Sequence, residues 1–200
     1  MMVVRKGETR SAILQVSVDL FGLRGFSAVS LDDIATTVGV AKQTVLYWFS
    51  SKDELLDAVL LQTSRELAGV IEGAILAARN EPLARVDAVL KAVFRTAVRR
   101  PALLGLMREV SRLEPVRAER LGVSVQPYVR RATEYLRGEM AQGRLRCADP
   151  GLIVALCYAT VTGIATEPEA LRAVEWSTTA AGLRRLRREL TEFVLAALRP

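Results

Sequence analysis

A chain of 200 residues, half hydrophobic but only 6 % aromatic, and rich in Ala, Leu, Val and Arg, has the length of one mid-sized domain or of a small head on a larger body, and its composition favours helices over sheet. Its 28 Lys and Arg against 22 Asp and Glu leave a net charge of +6, which favours anionic partners. The absence of histidine excludes histidine-dependent catalysis, and the two cysteines, Cys147 and Cys157, form neither a metal-ligand spacing nor a secreted disulfide framework.

The opening, MMVVRKGETR, has a short apolar tip followed at once by charge, without the apolar middle of a signal peptide. From Thr9 onward Ile13, Val16, Leu20 and Phe21 paint one stripe on a helix, which Gly22 and Gly25 are expected to end. Ser30-Leu31-Asp32-Asp33 reads as a capping box: the Ser30 hydroxyl accepts an orphan amide while Asp33 reaches back, with Val29 and Ile34 placed as a hydrophobic staple. A second helix therefore starts at Leu31, buries Leu31, Ile34, Ala35 and Val38 on one face, and stops at Gly39. A short third helix follows from about Lys42 to Phe49, with Val45 and Trp48 inward. Ser51 then caps a long fourth helix, whose stripe runs through Leu56, Val59, Leu60, Thr63, Leu67, Val70, Ile71, Ala74 and Ile75.

Beyond it, Pro82 and Pro101 open helices near 82–99 and 101–113, and Pro115 with Gly122 marks a break. Another helix is expected from about Ser124 to Gln142, with Pro127 near its start. Asp149-Pro150 opens an apolar helix to Thr166, whose uncharged run falls short of the ~20 residues that a membrane span needs. The last helix covers roughly Val174 to Leu198. The expectation is an all-α fold of about nine helices, cytoplasmic, with no membrane partner, no metal and no cofactor.

Two helices joined by a tight glycine turn must cross closely, so the first needs a small residue at the crossing; Ala35 and Gly39 meet these needs. Val40 and Val45 plug the wedge, which leaves Lys42, Gln43, Thr44 and Tyr47 outward in the pattern of a DNA-reading helix-turn-helix. A helical hairpin with a solvated outer face is the competing reading of this stretch alone.

Over its first sixty residues the chain resembles the TetR family of bacterial transcriptional regulators, in the run TRSAILQVSVDLFGLRGFSAVSLDDIATTVGVAKQTVLYWFSSKDELLDAV. The shared landmarks are Ile-Leu in the first helix, Leu-Phe before a Gly-Phe, Ser-Leu opening the second, then Ile-Ala, Gly-Val, Thr, Phe and Ser-Lys-Asp-Glu-Leu-Leu. The rest resembles the family in architecture and through AQGRLR before Asp149-Pro150. The resemblance implies a DNA-binding head, residues 1–52, joined by the long helix to a ligand-binding and dimerisation domain, residues 53–200. It further implies that Ser30 and Thr44 bond phosphates, that Lys42 and Gln43 reach base edges or phosphates, and that Lys52 meets the backbone. The chain departs from the family where a tyrosine is usual, since Leu46 stands there; Tyr47 is a candidate replacement for that phosphate contact, and Trp48 is either a further DNA contact or interior packing.

In the second half, Leu183, Leu186, Leu190, Phe193 and Ala197 recur at steps of three and four, the spacing of a seam between helices, and Ala155, Ala159 and Gly163 leave one face of the preceding helix small. These two helices pair with their copies in a homodimer, or else complete the monomer core. The run LRRLRR at 183–188 reads as a solvated face, with pairs Arg185–Glu189 and Arg188–Glu192, rather than a second DNA site. A pocket is implied by the family, and its candidate lining is Phe94, Met107, Tyr128, Tyr135, Cys157 and Tyr158, each of which also reads as ordinary core.

The sequence thus points to a cytoplasmic, homodimeric transcriptional repressor that binds a palindromic double-stranded DNA operator and is released by a small hydrophobic effector. The alternative is a helical small-molecule binding protein with a weakened DNA head. An enzyme is not expected: paired carboxylates in an apolar setting and a phosphate-binding glycine loop are missing along with histidine.

Overall fold

The computed structural model describes residues 6–100, 102–103, 105–106, 115–166, 173, 175 and 179–200. Their regular elements are all helical. They are α1 (Lys6–Arg24), α2 (Leu31–Val38), α3 (Lys42–Trp48), α4 (Lys52–Ala77), α5 (Pro82–Arg99), α6 (Pro115–Ala141), α7 (Pro150–Thr166) and α8 (Ala180–Leu198). Most of the expected helix at 101–113 lies outside the described residues, although Ala102, Leu103, Gly105 and Leu106 are helical.

Two compact units result. The first comprises Met1–Arg65 with Arg100–Ser124, the second Glu66–Arg99 with Val125–Pro200, so α4 and α6 each contribute residues to both.

The first unit closes on a core of Ile13, Leu14, Val18 and Phe21 from α1, Ile34 and Ala35 from α2, Val45 from α3, Phe49, and Leu55, Leu56 and Val59 from α4. Each fully buried side chain of this size contributes about 1.5–3 kcal/mol relative to exposure. Gly22 does not end α1, as the sequence suggested; the helix continues to Arg24 and Gly25 stops it at φ 85. Gly22 instead permits a backbone-to-backbone approach. A Cβ there would lie 2.0 Å from the Ala102 carbonyl oxygen, and one on Gly105 would lie 1.7 Å from the Gly22 carbonyl oxygen. Ala102 and Leu106 are thereby brought into the first unit's core.

The second unit packs Leu90 and Phe94 of α5, Leu136 of α6 and Leu190, Val194 and Leu198 of α8 with Leu145, and Ile153, Val154 and Cys157 of α7 lie against them. Arg146 ties the loop after α6 to the end of α8, its Nε donating to the Ala197 carbonyl at 2.7 Å and its backbone N–H to that of Leu198 at 3.0 Å. These donors satisfy carbonyls that a helix end leaves open.

Two boundaries differ from expectation. α6 starts at Pro115 rather than near Ser124, so that Gly122 and Pro127 lie within it instead of marking a break and a start. Pro115 suits a first helical position, and the interior penalties of Gly and Pro, about 1 and 3 kcal/mol, are offset by tertiary packing along the same helix. α8 starts at Ala180 rather than Val174, because the Thr179 hydroxyl accepts the Gly182 N–H at 3.3 Å and caps it there, while Glu175 takes a left-handed φ of 56 that no α-helix contains.

Candidate nucleic-acid interface

Local chemistry fixes α2 and α3. The Ser30 hydroxyl accepts the Asp33 N–H at 3.1 Å and donates to Asp33 Oδ2 at 2.6 Å, and the Ser30 N–H donates to the same oxygen at 2.8 Å. The hydroxyl bond first, then the backbone bond, holds the Asp33 carboxyl below its ordinary pKa. Val29 and Ile34, the two members of the staple, are both buried. At the turn Gly39 adopts φ 80, where its N–H donates to Ala35 and Thr36 and leaves the Val40 N–H to donate to Ala35 at 2.9 Å. Ala35 and Val45 are buried at the crossing, with Val40 packed beside them.

With its inner side so anchored, α3 turns Lys42, Gln43, Leu46 and Tyr47 to solvent, while Thr44 is half-buried. Trp48 is also half-buried and packs against the core, its ring edge-on to Tyr47 at 5.2 Å between centroids. The Lys42 ammonium meets Asp32 Oδ2 at 2.7 Å across the turn. Beyond α3, Ser51 caps α4 by accepting the Glu54 N–H at 3.1 Å, and the Glu54 carboxylate takes the Ser50 hydroxyl and N–H at 2.5 and 2.7 Å, bonds that lower its pKa. Lys52, the first residue of α4, holds its ammonium 4.2 Å from the centre of the Phe26 ring.

Lys42, Lys52, Ser27 and Ser30 come together around a depression of about 350 Å³ at the start of α2, which Asp32 also lines. Two cations, two hydroxyls and the amides of a helix N-terminus suit an oxygen-bearing anion. Sequence reasoning named Ser30, Lys42 and Lys52 but not Ser27 or Asp32. A hydroxyl three residues ahead of the capping box was a usable signal for Ser27. The Lys42–Asp32 pair, ten residues apart, emerges only once the turn is built.

The second-unit candidates divide. Phe94, Tyr135 and Cys157 belong to its core cluster, Tyr128 and Tyr158 are exposed, and Met107 lies outside the described residues. Burial pushes the Cys157 thiol up, which keeps it protonated and unreactive, and Cys147 is exposed. Of the seam residues, Leu190 faces the monomer core at 7 % exposed, whereas Phe193 is 71 % exposed, so these two do not share a free face; the inward stripe of α8 is Leu190, Val194 and Leu198. Leu186 and Ala197 are half-buried, Ala155 and Ala159 are exposed beside Leu152 and Leu156, Gly163 is a helical residue of α7, and the Leu183 side chain is not among those the structure describes. Arg185 pairs with Glu189 at 3.7 Å as expected, but Arg188 turns to Glu189 at 3.4 Å and not to Glu192. Among the described residues, no helix is long and apolar enough to cross a membrane.

A family profile, described as bacterial regulatory proteins of the tetR family, matches residues 13–59, from mid-α1 into α4. The transcriptional regulator RutR of Escherichia coli is 25 % identical over 172 residues, covering 84 % of this chain and 79 % of that protein. The transcriptional regulator BetI of Rhizobium meliloti is 32 % identical over 115 residues, 54 % of this chain and 55 % of that one. Among solved structures, the transcriptional regulator FadR from Bacillus subtilis in complex with stearoyl-CoA superposes with a TM-score of 0.79 at 15 % identity, over 94 % of this chain and 98 % of that one. At that identity the last likeness speaks for the fold.

Proposed function

The chain belongs to the TetR family of bacterial regulatory proteins and is a transcriptional regulator, and we propose that it is a cytoplasmic, homodimeric repressor that reads a palindromic operator through α3 and is released by a small hydrophobic effector. The observation that carries this reading is the outward set Lys42, Gln43 and Tyr47 on a short helix whose other side is pinned by fully buried Val45. Such a helix presents donors to base edges in a major groove. In this reading Gln43 reads bases, the exposed Leu46 offers methyl groups to a thymine methyl, and Thr44 and Tyr47 flank the backbone. Lys42 and Lys52, with Ser27 and Ser30, hold phosphates at the depression, the Lys42–Asp32 pair opening as a phosphate replaces the carboxylate. Trp48 acts from behind, as packing that sets the angle of Tyr47.

Two reading heads are needed for a palindrome, and the second unit exposes apolar side chains for pairing, Leu152, Ala155, Leu156 and Ala159 on α7 and Phe193 on α8. Effector binding lies in the second unit among Phe94, Tyr135 and Cys157, where the Tyr135 ring packs against the apolar cluster, the Arg85 guanidinium lies 5.5 Å from its centre, and its hydroxyl is buried without a hydrogen bond. That FadR from Bacillus subtilis, which shares the fold, was solved in complex with stearoyl-CoA supports an apolar effector. The effector must favour the dimer state that fits DNA poorly, since a ligand with equal affinity for both states shifts nothing; α4, which contributes to both units, is the element through which it acts.

The test is a fluorescence-anisotropy titration of the protein against its own upstream DNA and a scrambled duplex at several salt concentrations. Tighter binding to the native duplex at physiological salt is expected. Lys52→Ala should then weaken both duplexes alike and reduce the salt slope by about 1, whereas Gln43→Ala should change sequence preference. Equal, weak, salt-sensitive binding to the native duplex, the scrambled one and sequences selected from random DNA would defeat the reading and favour a small-molecule binding protein with a weakened head.

A further inference from the structure

In the second unit, α5 and α8 lie side by side and border an open groove of about 680 Å³, within the range of small-molecule sites. Arg184, Arg187 and Arg188 line it from α8, with Lys91 and Asp87 from α5 and Thr191 between them. The charge is only partly answered within the protein. Lys91 is paired with Asp87 at 2.6 Å, and Arg185 and Arg188 share Glu189 at 3.7 and 3.4 Å, but Arg184 and Arg187 have no ion-pair partner among the described residues. Arginines left uncompensated beside one another on a single face repel, an arrangement that a bound anion relieves.

A second observation is independent of charge. Among the described residues of the lining Thr191 is the buried one, at 6 % exposed, and its hydroxyl is buried with no hydrogen-bond partner. A buried hydroxyl without a partner is unfavourable, and a ligand oxygen would satisfy it once the side chain turns its hydroxyl toward the groove. The groove also reaches Ala181 in the first turn of α8, where the helix dipole adds to the attraction for negative charge.

We propose that this groove binds a small phosphate-bearing molecule, with Arg184 and Arg187 holding the phosphate oxygens in bidentate fashion and the Thr191 hydroxyl donating to it. Planar guanidinium forks match phosphate geometry better than ammonium groups do. The carboxylates of Asp87 and Glu192, also in the lining, decide its size. They would repel the continuous charge of a nucleic-acid backbone, yet they accept from hydroxyl or amino groups on the non-phosphate end of a compact ligand. This site is separate in residues and in chemistry from the apolar effector region around Phe94 and Tyr135, and it does not depend on DNA reading.

The experiment is isothermal titration calorimetry of the full-length protein with inorganic pyrophosphate at low ionic strength. The expected result is saturable binding that the double variant Arg184→Gln/Arg187→Gln weakens by about tenfold or more, as loss of charge-assisted bonds demands. Thr191→Val should weaken it less, with circular dichroism unchanged in both variants. Pyrophosphate heats that are absent from the wild type, or undiminished in the double variant, overturn the proposal. So does binding that persists in the double variant and disappears in Lys52→Gln, which assigns the anion to the DNA head. Loss of random-duplex binding in the double variant, with no pyrophosphate binding by the wild type, would make the groove a nucleic-acid surface and overturn it equally.

Discussion

In the first unit Ile13, Phe21, Ile34, Val45, Leu55, Leu56 and Val59 are all fully buried, and the starts of α2 and α4 are closed by Ser30, Asp33, Ser51 and Glu54. In the second unit Glu139 and Thr191 are buried, the Arg85 Nε, the Tyr135 hydroxyl and the Thr191 hydroxyl lack partners, and Leu152, Leu156, Tyr158 and Phe193 stand in solvent. The first unit closes its helix starts with local hydrogen bonds, which hold α2, α3 and the start of α4 in fixed geometry. The second leaves three buried polar atoms without partners among its described residues, whereas large exposed apolar side chains occur in both units, Leu23 and Tyr47 in the first as well as Phe193 in the second. Glu139, the buried charge among the second unit's described residues, has its pKa lowered chiefly by the Arg144 hydrogen bond at 2.5 Å, and Arg144 is itself half exposed.

The largest break in this contrast is expected from Phe21→Ala, which removes a fully buried ring set edge-on to Phe26 at 5.3 Å. A loss of about 3–5 kcal/mol is expected, read by hydrogen exchange as lost protection across α1, α2 and α3. Equal loss along α5 and α8 would show that the two units are one cooperative body. Next is Gly105→Ala, whose Cβ would sit 1.7 Å from a backbone oxygen that no rotamer change can move. It should cost about 1–3 kcal/mol by overpacking, measured by urea denaturation, and an unchanged midpoint would remove the close approach of Gly22 and Gly105 from the first unit's architecture.

These two positions also mark how far the sequence could be read. Ser30, Asp33, Gly39 and Val45 were legible because each acts within a few residues, through cap, turn or wedge, so the head and its outward face followed from local chemistry. Gly22 was misread as a stop because its partner, Gly105, lies eighty-three positions away and glycine spacing carries no sign of it. Leu190 shows the same limit: periodicity identified an apolar stripe on α8 but not whether the monomer or a second copy covers it. The start of α6 at Pro115 was missed because Gly122 and Pro127 argue locally for a break that tertiary packing overrides. The depression at α2 was half legible, through Ser30, Lys42 and Lys52.

A smaller effect, with a definite sign in pH, comes from the caps. Asp33 and Glu54 have folded-state pKa values below their unfolded ones, because Ser30 and Ser50 hydrogen-bond the ionised forms. Their contribution is therefore fully present above the unfolded carboxylate range and is lost as the pH falls below about 4. Ser30→Ala should cost about 1 kcal/mol at neutral pH and flatten the acid limb of α2 melting, followed by hydrogen exchange of its amides. If the variant keeps the wild-type acid limb, Asp33 draws its stabilisation from elsewhere, with Arg24 at 4.0 Å the next group to test.

The smallest effect on folding, and the sharpest on assembly, should come from Phe193→Asp. Phe193 is 71 % exposed while its neighbour along the stripe, Leu190, is 7 % exposed, so the same charge placed at the two positions separates surface from core. At Leu190 it buries an unpaired carboxylate among Leu90, Phe94 and Val194, and unfolding of the second unit is expected whatever the protein's oligomeric state. At Phe193 the monomer should stay within about 0.5 kcal/mol of wild type, because the ring touches little within its own chain. A homodimer joined through α7 and α8 should nevertheless dissociate, since two new carboxylates would face an apolar seam across the two-fold axis. Light scattering across a concentration series reads the mass directly. A dimer that survives Phe193→Asp with its second unit folded would move the interface off this face and leave the exposed apolar surface of α7 and α8 to another partner.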